Sequence, residues 1–215
     1  MHFVSSVLMC SGVLLIADAA ITVAWQEPVS AVVAERLQAD LENDLDDARA
    51  LAVEDRRALA GTKDHEKLLA ELAERARKRT KRGDAVGRIV LPSIDREYVV
   101  AEGTDTETLR KGPSHYGDTP FPGQRGTIGI AGHRTTYGAP FRPIDKLDRG
   151  DEVVLEMSYG RFVYEVEHTR IVKPTALWVK RRAGHDRLIL SACHPKYSAA
   201  KRIVVFAKLA ESRPI

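Results

Sequence analysis

LILSACHPKYSAAKRIVVFA, residues 188–207, is the stretch on which the reading of this chain turns. The runs Leu188–Leu190 and Ile203–Phe206 are apolar, rich in β-formers and too short for ordinary helices. Between them, His194–Lys201 is interrupted by Pro195 and carries Ser198, the composition of a connection. Two strands joined this way are expected to pair antiparallel, so the end of the first lies beside the start of the second. Cys193 and Arg202, nine positions apart, then face one site. A guanidinium beside a thiol favours thiolate over thiol and can also hold a developing oxyanion.

A sulfur nucleophile needs a base, and residues 127–141, TIGIAGHRTTYGAPF, supply a candidate. Ile128–Ala131 reads as a buried strand, and Gly132 breaks it. His133 stands at the strand's exit, where loops carry function on a rigid scaffold. Cys with His is the minimal set for acyl transfer through a thioester. The block GHRTTYGAPF, followed by a strand-ending Cys and an Arg nine residues on, resembles the sortases. Among them it is most similar to class E, the actinobacterial housekeeping type, in which the Cys is likewise followed by His-Pro. The resemblance runs from Gly83 to Leu209 and includes the apolar N-terminal run. It implies a mainly β fold, a closed eight-stranded barrel, with His133, Cys193 and Arg202 as the catalytic residues. Relatives carry Thr-Leu-x-Thr-Cys where this chain has Ile189, Leu190, Ser191, Ala192 and Cys193, so both threonines are absent. The Thr before the Cys helps orient the peptide in relatives, and its loss implies weaker peptide binding here.

The 215 residues carry 33 basic and 30 acidic side chains, a basic excess too small to argue for a nucleic-acid partner. Two cysteines cannot make a disulfide framework, and Cys10 lies in an apolar run. That run, Phe3–Trp25, has the length to cross a bilayer and closes on an interfacial Trp, with Asp18 as its flaw. An uncleaved membrane anchor over residues 1–27 is expected. A cleaved signal peptide is the alternative, although Met1-His2 offers no basic leader.

Residues 28–82 change character. Leu37, Leu41, Leu45, Ala48 and Ala52 recur on one helical face, Gly61-Thr62 interrupts, and Leu68, Leu69, Leu72, Ala73 and Ala76 follow. Two readings stand: a helical stalk or partner-binding coiled coil, or solvated amphipathic helices lying on their own domain or loosely ordered. RARKRTKR, residues 75–82, reads as a solvated linker end.

From Gly83 to residue 215 the chain is β-rich and forms the expected catalytic domain. Val86–Leu91, Glu97–Ala101, Glu152–Met157 and Arg161–Val172 read as strands, Thr175–Lys180 as a further weak one, and Leu109–Gly126 as loop. With the two blocks above, the count favours a closed barrel or sandwich. Zinc is the main competing chemistry, through His133, His185, Cys193 and His194. The short ligand spacing of metal motifs is missing, and Cys193 and His194 would point to opposite strand faces. Neither a P-loop nor a dinucleotide fingerprint occurs.

The resemblance implies a transpeptidase that cuts a Leu-Ala-x-Thr-Gly-like C-terminal sorting signal between Thr and Gly through a thioacyl enzyme. It would join the protein to a cell-wall amine, with hydrolysis as a side reaction and no cofactor or metal. Implied partners are secreted proteins bearing the signal, the wall-precursor amine and, through the N-terminal run, the lipid bilayer, with the catalytic domain extracellular. A non-catalytic scaffold binding a peptide or wall polymer is the alternative.

Overall fold

The computed structural model describes residues 2–25 and 28–215, with side-chain surroundings at residues 5–17 and from 30 onward. Three helices come first: α1 (His2–Trp25), α2 (Pro28–Ala58) and α3 (His65–Arg79). Then follow β1 (Ala85–Leu91), β2 (Arg96–Glu102), α4 (Thr106–Lys111), β3 (Ser114–His115), β4 (Thr127–Ala131), β5 (Glu152–Met157), β6 (Gly160–Val172), β7 (Arg187–His194) and β8 (Lys201–Pro214). The strands close into a barrel in the order β1-β2-β3-β4-β7-β8-β6-β5, with β5 pairing back onto β1. Most neighbours are antiparallel, while β2–β3 and β4–β7 run parallel.

The barrel interior is filled by alternate side chains of every long strand. Ile89, Leu155, Phe162, Tyr164, Leu190 and Val205 belong to one buried cluster. Each such side chain contributes roughly 1.5–3 kcal/mol by leaving water, so the packing that fixes the strand register is also the main source of stability. Closure leaves no open edge, and this accounts for the fate of Thr175–Lys180. Instead of the expected weak strand, Leu177–Lys180 forms a 3₁₀ turn that folds across the outside of the barrel. There Trp178 stacks on Phe206 with ring centroids 6.2 Å apart, and Val172 and Val179 cover Ile189 and Val204.

Leu109–Gly126, expected to be loop, contains the end of α4 and the two-residue β3 that bridges β2 and β4. The helix α4 starts where the Asp105 carboxylate accepts from the Glu107 and Thr108 N–H groups.

The helices of residues 28–82 do not stand off as a stalk. Leu41 and Leu45 of α2 are buried against Ala85, Val99 and Ala101. The Gln38 carboxamide accepts from the Val99 N–H (2.9 Å) and donates to the Val99 and Lys111 carbonyls (3.0 and 2.6 Å). Leu68, Leu69, Leu72 and Ala73 of α3 join the main core. Nor are Arg75 and Arg79 a free linker end. Both pair with Asp55, which is 7% exposed and ties α2 to α3. The Arg79 hydrogen bond, outweighing the opposing effect of burial and joined by Arg75, holds the Asp55 carboxyl below its ordinary range.

The membrane anchor expected over Phe3–Trp25 is not supported by the structure: among the described residues no helix is long and apolar enough to cross a membrane. The side chains at 3–4 and 18–25 of that run lie outside the described residues. Within the described part of α1, Leu8, Met9, Val13, Leu14, Leu15 and Ile16 are exposed.

Candidate active site

Alternation sorts β7 into two faces. Leu188, Leu190 and Ala192 belong to the interior cluster, so Ile189, Ser191 and Cys193 face outward. On β8, Ile203, Val205 and Ala207 are interior, while Arg202, Val204 and Phe206 are outward. The register sets Cys193 directly opposite Arg202, as the sequence leads one to expect, with both on the outer face. Cys193 is half-buried. Arg202 is turned back on the β7–β8 connection: its Nη1 donates to the Ala199 and Lys201 carbonyls, both at 3.0 Å.

The third group arrives through β4. This strand runs parallel to β7 with Ala131 opposite Ser191, and the Gly132 N–H donates to the Ser191 carbonyl at 3.0 Å. His133 is the next residue, level with Cys193 by continuation of that register. Gly132 is required by close packing, because a Cβ there would stand 2.6 Å from the ring of the fully buried Phe141. The Phe141 N–H donates to the His133 carbonyl (3.0 Å), closing the loop behind the imidazole. The N-terminal part of α2 reaches the same loop, where Ser30 Oγ accepts from the Tyr137 N–H at 3.2 Å.

Two neighbours of His133 were not legible in the sequence. Its ring lies 5.2 Å from that of Tyr137, and the Arg110 guanidinium of α4 sits 5.6 Å from the Tyr137 ring centre. Burial first, and the Arg110 charge second, lower the His133 pKa, and both disfavour the imidazolium. Among the described residues no carboxylate or carboxamide is hydrogen-bonded to this ring. Arg110→Gln removes a positive charge, so the His133-controlled limb of the activity–pH profile is expected to move to higher pH. A limb that stays in place or moves down would contradict this account of the imidazole's surroundings.

The remaining histidines of the sequence reading separate. His185 precedes β7 and lies near Glu167 (3.6 Å), at the opposite end of the strand from Cys193. His194 is bonded to Arg134. The Tyr116 hydroxyl and Ser191 Oγ share a hydrogen bond of 2.8 Å on the outer face beside Cys193. Ala192, at the position of the threonine that relatives carry before the Cys, is 3% exposed and faces the core, away from the side that carries Cys193. Ile189 faces outward but is fully buried in a cluster with Val204 and Phe206, against which Val172 and Val179 pack.

Fold and site together define a class, that of closed β-barrels bearing a Cys–Arg cross-strand pair with a His at the exit of the neighbouring strand. Comparison with known proteins gives the family. The model of the Sortase domain matches residues 89–210, and the chain belongs to the sortase family. It is 38% identical over 130 residues to sortase D of Bacillus subtilis (strain 168), a match covering 59% of this chain and 64% of that protein. With Sortase SrtE1 of Streptomyces coelicolor it shares 28% identity over 148 residues, covering 61% of this chain and 42% of the relative. The chain therefore spans less than two thirds of the length of these curated relatives. The solved structure of sortase E from Streptomyces avermitilis superposes with a TM-score of 0.58 at 33% identity, over 62% of this chain and 93% of that one. Relatives named as class D and class E both appear, so the comparisons do not single out class E.

Proposed function

We propose that this chain is a cysteine transpeptidase whose catalytic residues are His133, Cys193 and Arg202, carried by a domain spanning residues 83–215. The observation that carries the reading is the Cys193–Arg202 register pair on the outer face, with His133 one residue beyond the β4–β7 ladder. Cys193 Sγ attacks the carbonyl carbon of the scissile peptide while its proton passes to the neutral imidazole of His133. The oxyanion is met by Arg202, whose Nε and Nη2 are not used in its bonds to Ala199 and Lys201. The tetrahedral species collapses as His133 returns the proton to the leaving amine, and a thioester remains on Cys193. An incoming amine attacks that thioester, gives a proton to His133 and leaves as a new amide, and Cys193 recovers its proton. Water in place of the amine gives hydrolysis. The acyl group passes through Cys193 and the protons pass through His133, while Arg202 stabilises the oxyanion without transferring either.

By family the acyl donor is a secreted protein with a C-terminal sorting signal and the acceptor is a cell-wall amine. Class E relatives point to Leu-Ala-x-Thr-Gly, cut between Thr and Gly. A Pro at the second position would gain from a preset backbone kink, which lowers the ordering cost of binding, so an Ala-selective site must exclude the ring sterically. In competitive cleavage, the Ala pentapeptide is expected to be consumed faster than its Pro counterpart. Equal use, or a preference for Pro, would remove the class E assignment and leave the catalytic residues untouched. Because Ala192 faces the core, Ala192→Thr is expected to bring no gain in peptide binding.

The same reading puts the barrel on the outer side of the cell membrane. Protease added to intact protoplasts should degrade the barrel. Complete protection, with lysed cells as the positive control, would overturn this location.

A further inference from the structure

The residues that follow the two proposed reacting groups are bonded to each other. Arg134 follows His133, and His194 follows Cys193. Arg134 is 3% exposed. Its Nη1 lies 2.9 Å from His194 Nδ1, and its Nη2 is 2.9 Å from Asp145 Oδ2. A guanidinium only donates, so His194 Nδ1 is the acceptor. Arg134 Nε is buried without a hydrogen-bond partner, a cost that well-packed apolar side chains would not incur.

Two further contacts join the same segments. Lys196 Nζ is 3.8 Å from Asp145 Oδ2. Arg142 lies over the Tyr197 ring at 5.9 Å and donates from Nη2 to its hydroxyl at 3.3 Å. Partial burial alone would raise the Asp145 carboxyl. Arg134, the residue's own backbone N–H and Lys196 outweigh that effect and hold it below the ordinary carboxylate range.

The position of this bridge gives it meaning. The backbone pairing of β4 with β7 stops at the Gly132 N–H and the Ser191 carbonyl. His133 and Cys193 both lie past that point. Among the described residues, the link from the His133 side to the Cys193 side beyond it is made by side chains, and Arg134 is its buried centre. The planar fork of an arginine reaches two partners at fixed angles, which neither a lysine nor an apolar residue does.

We propose that Arg134 is a positioning residue of the reaction: braced by Asp145, it holds His194 and thereby fixes the spacing of the Cys193 thiol from the His133 imidazole. The inference rests on the catalytic reading of Cys193 and His133 given above. A small displacement between reacting groups costs rate, on the order of a hundredfold per ångström, while the peptide-binding surface is left in place.

The test measures kcat and KM for sorting-signal peptide cleavage, and the rate of iodoacetamide alkylation at Cys193, in the full chain. Arg134→Met is expected to lose kcat on the order of a hundredfold, with KM nearly unchanged. His194→Ala should lose kcat on the order of tenfold or more and alkylate at an altered rate. His194→Asn should recover most of the loss, because its Oδ1 stands close to the former Nδ1 and accepts from the same guanidinium. If Arg134→Met does not fold, the His194 pair alone decides. Wild-type kcat in His194→Ala, a loss that Asn does not rescue, or a rise in KM at constant kcat would each overturn the positioning role. Cys193→Ala separates this failure from that of the underlying reading: turnover persisting in that variant defeats both, whereas an inactive Cys193→Ala beside a fully active His194→Ala defeats the positioning role alone.

Discussion

Cys193→Ala is expected to abolish cleavage of sorting-signal peptides and leave the thermal transition of the barrel essentially in place. The chemistry proposed here has one sulfur nucleophile, and Cys193 is the sole cysteine in the barrel. Without it neither thioester formation nor transfer can start, so the loss should reach the detection limit of the assay, at least on the order of a thousandfold. Stability should hold because Cys193 is half-buried on the outer face, whereas its neighbours Leu190 and Ala192 supply the core contacts of β7. Deleting one sulfur there opens no interior cavity of the kind that makes large-to-small core changes costly. Substantial turnover in this variant would remove the transpeptidase mechanism, whatever the family of the fold.

Arg202→Lys is expected to lose far more in kcat than in peptide affinity, on the order of tenfold or more. The guanidinium stands directly across from Cys193 and donates from one nitrogen to two carbonyls, those of Ala199 in the β7–β8 connection and of Lys201 at the start of β8. An ammonium can satisfy those carbonyls or follow charge onto a tetrahedral oxygen, but it lacks the rigid fork that does both in one geometry. Steady-state kinetics and peptide binding measured on the same variant separate the two effects. Unchanged kcat with weakened binding would make Arg202 a substrate clamp and move oxyanion stabilisation to backbone N–H groups.

Local pattern carried much of this architecture. The two apolar runs of β7 and β8, joined by a short connection, lead to antiparallel pairing with Cys193 beside Arg202, and that pairing is the one observed. The period-two geometry of a strand also held a signal about position 192. Residues 192 and 193 are adjacent on a strand, so a threonine at 192 could not share the thiol's face. β3 was not legible because two residues show no periodicity, and its existence depends on β2 and β4 being brought to either side of it. Thr175–Lys180 has strand-like composition, but a closed barrel offers it no edge, so it covers Phe206 instead.

The helices illustrate a different limit. Periodicity marks the apolar stripe of α2 but says nothing of what covers it, and the answer lies about sixty residues away at Val99. Within the site, the positions of Cys193, His133 and Arg202 followed from strand ends and motif spacing. Arg110, Asp145 and the Arg134–His194 bond did not, since each depends on a side chain reaching across loops that are distant in sequence.

The most direct test of the account is intact-protein mass spectrometry of the full chain mixed with a Leu-Ala-x-Thr-Gly peptide in the absence of an amine acceptor. The account predicts a covalent adduct whose added mass equals the peptide fragment through Thr, located on Cys193 by proteolysis, absent from Cys193→Ala and discharged when an amine is supplied. Peptide cleavage without any adduct on Cys193, or an adduct on another residue that survives in Cys193→Ala, would contradict it.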